Sequence, residues 1–191
     1  MAIGDFQLEF QRSAADRGVN LDAEQVLPWL SGLGHAEPEA QDAPQAVLDR
    51  LAEIHDGLGG DESLLRGKRR QPSRVDFLAQ GQIIVELDEF QHFTSARLLT
   101  LDFYDGVEHG LEVDLYRRLC YQNVAKADAY RSSKPAKDFP FPGGRRAQRA
   151  YLDMCRDLLG PAFGFRVIRI AAPQLSVAAA IGSLTSQLEA G

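Results

Sequence analysis

An α/β fold, a small mixed β-sheet flanked by helices, is what this sequence predicts, on three observations. Apolar residues fall at helical spacing in the first third, give way to short β-rich runs over residues 74–90, and return to helical spacing after His92. A last β-rich run, FRVIRIA, follows a long helical crossover, and a strand reached that way is expected to lie parallel to one strand of the earlier pair. The chain has 191 residues, enough for one α/β domain that buries a sizeable core without staples.

The elements follow in order. In DFQLEFQRSAAD, Phe6, Leu8 and Phe10 fit both a helical and an alternating period; length and alanine content favour a helix. Asn20 and Asp22 offer caps ahead of AEQVLPWLSGL, which reads as a second helix with Trp29 packed inside. The polar HAEPEAQDAP, residues 35–44, reads as a linker. Val47, Leu48, Leu51 and Ile54 share a helical face that GLGGDES ends. RVDFLAQ and QIIVELDEF are strands joined through Ala79-Gln80-Gly81-Gln82, a hairpin turn, and Asp76 falls near the middle of the first. SARLLTLDFYD and LEVDLYRRLCYQNVAKADAYR are helical, and residues 132–144 form a loop rich in Pro and Gly. RRAQRAYLDMCRDLLG places Ala147, Tyr151, Met154, Cys155 and Leu158 on one helical face, with Gly160 and Pro161 as its stop. PQLSVAAAIGSLTSQLEA is a final helix. The chain thus divides into an acidic N-terminal helical extension, residues 1–43, and an α/β domain, residues 44–191, with a helical insertion at about residues 94–144.

Composition excludes several classes. Apolar residues are 45% and charged residues 25%, as in an ordinary globular protein. No apolar stretch approaches the ~20 residues that span a bilayer, so no membrane partner is expected. MAIGDFQLEF has neither a basic start nor an apolar block, so no signal peptide is expected. Two cysteines, Cys120 and Cys155, are too few for a disulfide framework and read as small buried hydrophobes in a reducing cytoplasm. His35, His55 and His109 sit among polar residues and read as surface histidines.

The net charge is −6, but residues 1–63 carry 3 basic and 13 acidic side chains against 18 and 14 in residues 64–191. The acidity therefore belongs to the first third, and the remainder is basic. Arg66, Lys68, Arg69, Arg70 and Arg74 cluster, as do Arg117 with Arg118, and Arg145, Arg146 and Arg149. Such clusters suit a phosphate backbone or an ordinary solvated face.

The chemistry concentrates in RRQPSRVDFLAQGQIIVELDEFQHF. Glu86 and Asp88 stand at i and i+2 on one strand and so share a face, and a tight turn can bring Asp76 beside Glu86. Ile83, Ile84 and Val85 mark a strand buried on both faces, at whose end carboxylates are costly unless paired or liganded. One solution is a divalent cation: oxygen ligands favour Mg²⁺ or Mn²⁺, which can activate water and stabilise charge on a phosphoryl group. The other is a salt bridge to Arg69, Arg70 or Arg156, or a solvated strand end. His92, four residues past Asp88, titrates near neutral pH and suits proton transfer, or packs between Phe90 and Phe93. Gln91 can orient water or a carboxylate, or serve a surface hydrogen bond.

These blocks resemble the PD-(D/E)XK nuclease superfamily, most closely its very-short-patch-repair endonuclease-like branch. The resemblance is carried by Arg69-Arg70-Gln71, Val75-Asp76-Phe77 and Val85-Glu86-Leu87-Asp88-Glu89-Phe90-Gln91-His92, then by Asp153-Met154-Cys155-Arg156 before Gly164-Phe165-Arg166-Val167-Ile168-Arg169. It covers roughly 45 residues. It implies a restriction-endonuclease-like core and a metal-dependent endonuclease. Asp76, Glu86 and Asp88 would hold Mg²⁺ or Mn²⁺, and His92 and Gln91 would serve the chemistry. Arg69, Arg70, Arg145, Arg146, Arg149 and Arg156 would meet nucleic acid, DNA ahead of RNA. By the same resemblance Glu53 is an extra acid on the preceding helix; as a residue alone it reads as a surface position. The superfamily's lysine is Asp88 here, an acid the related branch shares; Glu89 stands where that branch has glycine, and residues 94–144 are a long insertion.

Three readings stay open: a metal-dependent nuclease, a nucleic-acid-binding module on the same scaffold, favoured by the missing lysine and by Glu89, and a protein-interaction domain. A homodimer is compatible with each.

Overall fold

The computed structural model describes residues 3–172 and 175–190. Helix α1 (Ile3–Ala15) leads into two short strands, β1 (Leu21–Ala23) and β2 (Val26–Ser31). Helices α2 (Gln45–Gly57) and α3 (Glu62–Arg66) precede strands β3 (Pro72–Arg74), β4 (Phe77–Ala79) and β5 (Ile83–Asp88). Helices α4 (Ser95–Thr100), α5 (Val113–Ala129) and α6 (Gly144–Ala162) follow, then β6 (Arg166–Ala171) and α7 (Val177–Glu189). Met1, Ala2, Pro173, Gln174 and Gly191 lie outside the described residues, so the reading of the first residues and the start of the last helix are not addressed. Among the described residues, no helix is long and apolar enough to cross a membrane.

Four strands make a mixed sheet in the order β1-β4-β5-β6. β4 pairs antiparallel with both β1 and β5, and β5 pairs parallel with β6, as the long crossover demanded. A separate ribbon joins β2 to β3. The sheet is a middle layer. Ile84 and Val167 face one core with Leu51, Tyr151, Met154 and Leu158, while Val85, Leu87, Ile168 and Ile170 face a second core with Phe10 of α1 and Ile181 and Leu184 of α7. Strand β5 is buried on both sides, as its IIVEL run predicts.

The hairpin turn lies where expected: the Gln82 N–H reaches the Ala79 carbonyl at 3.2 Å, and Gln80 and Gly81 between them both take positive φ, 53° and 74°. The amphipathic reading of α6 also holds, with Ala147, Tyr151, Met154, Cys155 and Leu158 all buried. Both cysteines pack as hydrophobes; burial pushes the Cys120 thiol up to about 11 and the Cys155 thiol up to about 12.

Several expectations are corrected. The segment AEQVLPWLSGL is no helix. Glu24, at φ 56°, turns β1 away from β2, and Leu27 and Trp29 are buried while Val26 and Pro28 are exposed, a period of two. Pro28 would break a helix interior but suits an edge ribbon. The first 43 residues are therefore not wholly helical, and β1 belongs to the main sheet. Trp29 does pack inside, stacked on Phe163 at 5.2 Å. The expected linker holds two 3-10 turns, Gly34–Ala36 and Pro38–Asp42, with His35, Glu37 and Ala40 buried. His35 and His55 are core residues, not surface ones: His35 donates its backbone N–H to the Tyr151 hydroxyl at 2.8 Å, and His55 packs 4.8 Å from the Phe139 ring. His109 is half-buried against Tyr104. Asp76 sits in a bend just before β4 rather than mid-strand.

Helix α6 runs past its expected stop to Ala162, because Gly160 serves packing instead. A Cβ there would meet Val167 Cγ2 at 2.6 Å. The cap is Gly164, at φ 78°; its N–H reaches the Pro161 carbonyl at 2.9 Å and the next N–H, of Phe165, reaches the Gly160 carbonyl at 2.8 Å.

Candidate functional site

Strand alternation puts Glu86 and Asp88 on the α6 side of β5, in line with Ile84. Because Phe77 pairs with Val85, Asp76 falls opposite Glu86. The Asp76 N–H donates to Glu86 Oε1 at 3.3 Å, and Asp76 Oδ2 accepts from the Leu87 N–H at 2.8 Å. The predicted meeting of these carboxylates is thus present. They line a cleft of about 330 Å³. Glu89, Gln91 and His92, from the 3-10 turn after β5, form one wall; Arg145, Arg149, Asp153 and Arg156 of α6 form another, and Gln7 of α1 closes a third side.

The α6 wall follows from spacing. Arg145, Arg149, Asp153 and Arg156 recur at four, four and three residues, one helical stripe, beside the stripe that enters the core. Arg156 Nε lies 3.4 Å from Glu86 Oε1, its Nη2 donates to Ser73 Oγ at 2.9 Å, and Nε itself finds no hydrogen-bond acceptor.

Burial governs the carboxylates on the floor. It pushes Glu86 up to about 8, against the pull of Arg156 and with help from the neighbouring Asp76 charge. Burial raises Asp76 too, opposed by the Leu87 N–H and reinforced by Asp88. Glu89 is raised by burial as well, while the charge of His92 opposes the shift. His92 Nδ1 meets Asp153 Oδ2 at 2.9 Å and Asp88 Oδ1 at 3.4 Å. Burial lowers the imidazole pKa, but Asp153 and Asp88 overcome it and the net direction is up. Burial works against the Asp153 carboxylate also, yet His92 and Arg169 hold it well below the ordinary range.

Beneath the cleft lies a buried ionic network. Arg169 gives Nη1 to both oxygens of Asp88, at 2.8 and 2.9 Å, and Nε to Asp157 at 2.6 Å. The Tyr116 hydroxyl donates to Asp88 Oδ2 at 2.6 Å, and Arg97 Nη2 reaches Asp157 at 2.8 Å. Asp88 is therefore already neutralised by a guanidinium and a phenol, and it is the strut beneath His92 rather than a free carboxylate.

Two groupings could take a cation. Asp88, His92 and Asp153 each bring a ligand-capable atom within 4.8 Å of the others, but Arg169 and the His92–Asp153 contact already satisfy them. Asp76 and Glu86 fit a hard divalent ion better. They are two adjacent oxygen donors whose charged forms are disfavoured by burial, opening on a polar cleft.

The structure sorts the remaining candidates. Gln91 lines the cleft; its Nε2 donates to Glu89 at 2.7 Å and its carbonyl accepts from Arg149 at 3.2 Å. Arg145, Arg149 and Arg156 are at the cleft, whereas three other arginines are not. Arg70 is tied to Glu37 at 2.8 Å and to the Pro28 carbonyl, Arg69 is exposed and does not line the cleft, and Arg146 turns to Asp128 at 3.5 Å. The strand β3 that follows Arg69 and Arg70 pairs with β2, which carries both side chains away. Glu53 is a surface residue paired with Arg50. Asp153 and Arg169 stand in the blocks that carry the resemblance, and Glu89 beside them, but sequence reasoning assigns none of these, nor Gln7, a role in the site. The stripe on α6 signals Asp153, and an arginine set between two isoleucines, Ile168 and Ile170, signals Arg169; Gln7, which reaches Asp76 at 3.3 Å across 69 positions, carries no local signal. Comparisons with protein-family models, with curated proteins and with solved structures find no match.

Proposed function

We propose that this chain is a metal-dependent nuclease, hydrolysing phosphodiester bonds of DNA ahead of RNA, on a restriction-endonuclease-like core of the PD-(D/E)XK kind. The observation that carries the reading is the pairing of two adjacent carboxylates, the half-buried Asp76 and the buried Glu86, both raised in pKa by burial, with a wall of three arginines across one cleft. Asp76 and Glu86 would hold Mg²⁺ or Mn²⁺. The bound ion would neutralise both carboxylates and supply Lewis acidity toward a phosphoryl oxygen. Arg145 and Arg149 would receive the flanking phosphates, the exposed Arg145 at the rim and Arg149 deeper, where it also braces the Gln91 carbonyl. Arg156 would supply, from α6, the positive charge beside the glutamate that the superfamily takes from its lysine.

His92 is the proton carrier. Its Nδ1 is engaged by Asp153, which leaves Nε2 for exchange in the cleft. A raised pKa favours the imidazolium, so its role is donation to the leaving oxygen. Asp153 and Asp88 position that ring. Gln91 and Glu89, hydrogen-bonded to each other, border the space where water would be oriented.

The binding-module reading has one observation in its favour: Asp88, at the lysine position, is held by Arg169 and does not itself line the cleft. Cleavage of labelled single- and double-stranded DNA and RNA decides, in Mg²⁺, Mn²⁺ or EDTA, for the wild type, Asp76→Ala and Glu86→Ala. The nuclease requires cleavage that EDTA abolishes and that both variants lose. A folded wild type that cuts nothing, or cutting that survives EDTA, rejects it.

A further inference from the structure

We infer that Tyr130, backed by Phe90, is a base-stacking platform at the rim of the cleft, and that the strand drawn across the cleft is single-stranded. The inference deepens the nuclease reading and rests on it for the position of the phosphodiester.

Tyr130 caps the C-terminus of α5 inside the insertion and is 36% exposed. Phe90 stands edge-on to it with ring centroids 5.8 Å apart. Cations surround the pair: Lys126 Nζ is 4.4 Å from the Phe90 centroid, and Arg131 Cζ is 5.1 Å from the Tyr130 centroid. Packing of α5 on the turn after β5 accounts for Phe90. It leaves Tyr130 partly exposed, with a guanidinium beside it.

The location ties the platform to the cleft. Phe90, on which Tyr130 rests, lies between Glu89 and Gln91, both of which line it. Exposed Lys126, Arg131, Lys134 and Arg145 give this side a positive character, with Glu89 the acid at the boundary. An aromatic face among cations suits one ligand chemistry, a polyanion that carries planar bases.

Strandedness follows from geometry. In a duplex the base faces are already stacked on one another, so only an unpaired base can cover Tyr130. Glu86, at the floor, is only 5% exposed, and a flexible strand can lower a phosphodiester toward it where a duplex is held off by its own width. A base seated on Tyr130 would hold the next phosphate over Arg149.

The test is binding in EDTA, so that it does not depend on cleavage. A single-stranded oligodeoxynucleotide with a central 2-aminopurine, and its duplex, are titrated with the full chain as wild type, Tyr130→Ala and Tyr130→Trp. We expect the wild type to quench 2-aminopurine and to prefer the single strand. Tyr130→Ala should lose the quenching and bind about tenfold more weakly, while Tyr130→Trp keeps both. Equal affinity and quenching for Tyr130→Ala, or tighter binding of the duplex, overturns the platform. Metal-dependent cutting of duplex by wild type and Tyr130→Ala alike would reject the platform and keep the nuclease. Tyrosine-dependent quenching without any metal-dependent cleavage would keep the platform and reject the nuclease. Failure to bind either oligonucleotide rejects the platform and leaves the nuclease to the cleavage test.

Discussion

Glu86 concentrates the conflict between stability and chemistry in one side chain. Its carboxyl is 5% exposed, faces Asp76, and is answered by the Asp76 N–H at 3.3 Å and by Arg156 at 3.4 Å. Burial pushes its pKa up to about 8, from an ordinary 4.5 for the free group. A raised carboxylate pKa costs nothing below pH 4.5, costs progressively more as pH rises toward 8, and reaches its full cost above that. Replacement by a neutral isostere removes the cost. Glu86→Gln should therefore stabilise the metal-free protein at pH 8 by about 1–3 kcal/mol, roughly 3–10 °C in thermal midpoint, with the gain fading toward pH 5. Melts in EDTA across that pH range read it out, and a variant less stable than wild type at pH 8 would contradict the assignment. Asp88 is the opposite case. Its neighbour in spacing, Glu86, is costly; Asp88, two residues on, is satisfied by Arg169 and Tyr116. The same spacing made them equivalent in sequence, and only the arrival of β6 beside β5 separates their roles.

At the scale of elements, α6 joins core to cleft. One stripe enters the core and the adjacent stripe, Arg145, Arg149, Asp153 and Arg156, faces the carboxylates. How deeply that stripe reaches depends on how closely α6 lies on β6, and Gly160 sets the distance. Propensity alone favours alanine there by about 1 kcal/mol. Packing opposes it, because the new Cβ would stand 2.6 Å from Cγ2 of the buried, β-branched Val167. The packing effect wins. Gly160→Ala should destabilise the protein by about 1–3 kcal/mol in urea unfolding, and a stabilised variant would show that the approach is not close. The spacing of α6 was legible in advance because a helix has a fixed period. The strands over residues 21–31 were not, because a short apolar run fits either period; Pro28 was the available signal against a helix.

At the scale of the whole molecule, the acidic first third is built into the fold. Leu21 to Ala23 pair with Phe77 to Ala79, Phe10 enters the second core, and Gln7 reaches Asp76. Removal of residues 1–43 would uncover the β4 edge and the faces of Phe77 and Val85 together. The shortened chain should show no cooperative thermal transition by circular dichroism; a transition at the full-length midpoint would make that segment a mere appendage. Among the described residues of this segment, Gln7 is the one that lines the cleft.

The sequence by itself determined the class of fold, the hairpin with its positive-φ turn, the parallel last strand, the amphipathic α6 and the proximity of Asp76 to Glu86. Each rests on a local period or a turn, which covalent geometry fixes within a few residues. Tertiary structure alone decided which arginines meet the carboxylates, that Arg69, Arg70 and Arg146 do not, that His35 and His55 are buried, and that Asp88 is a strut. Those outcomes depend on residues brought together from far along the chain, Arg169 with Asp88 across 81 positions and Arg156 with Ser73 across 83. No periodicity encodes such pairings, because they follow from how the two cores close on either face of the sheet.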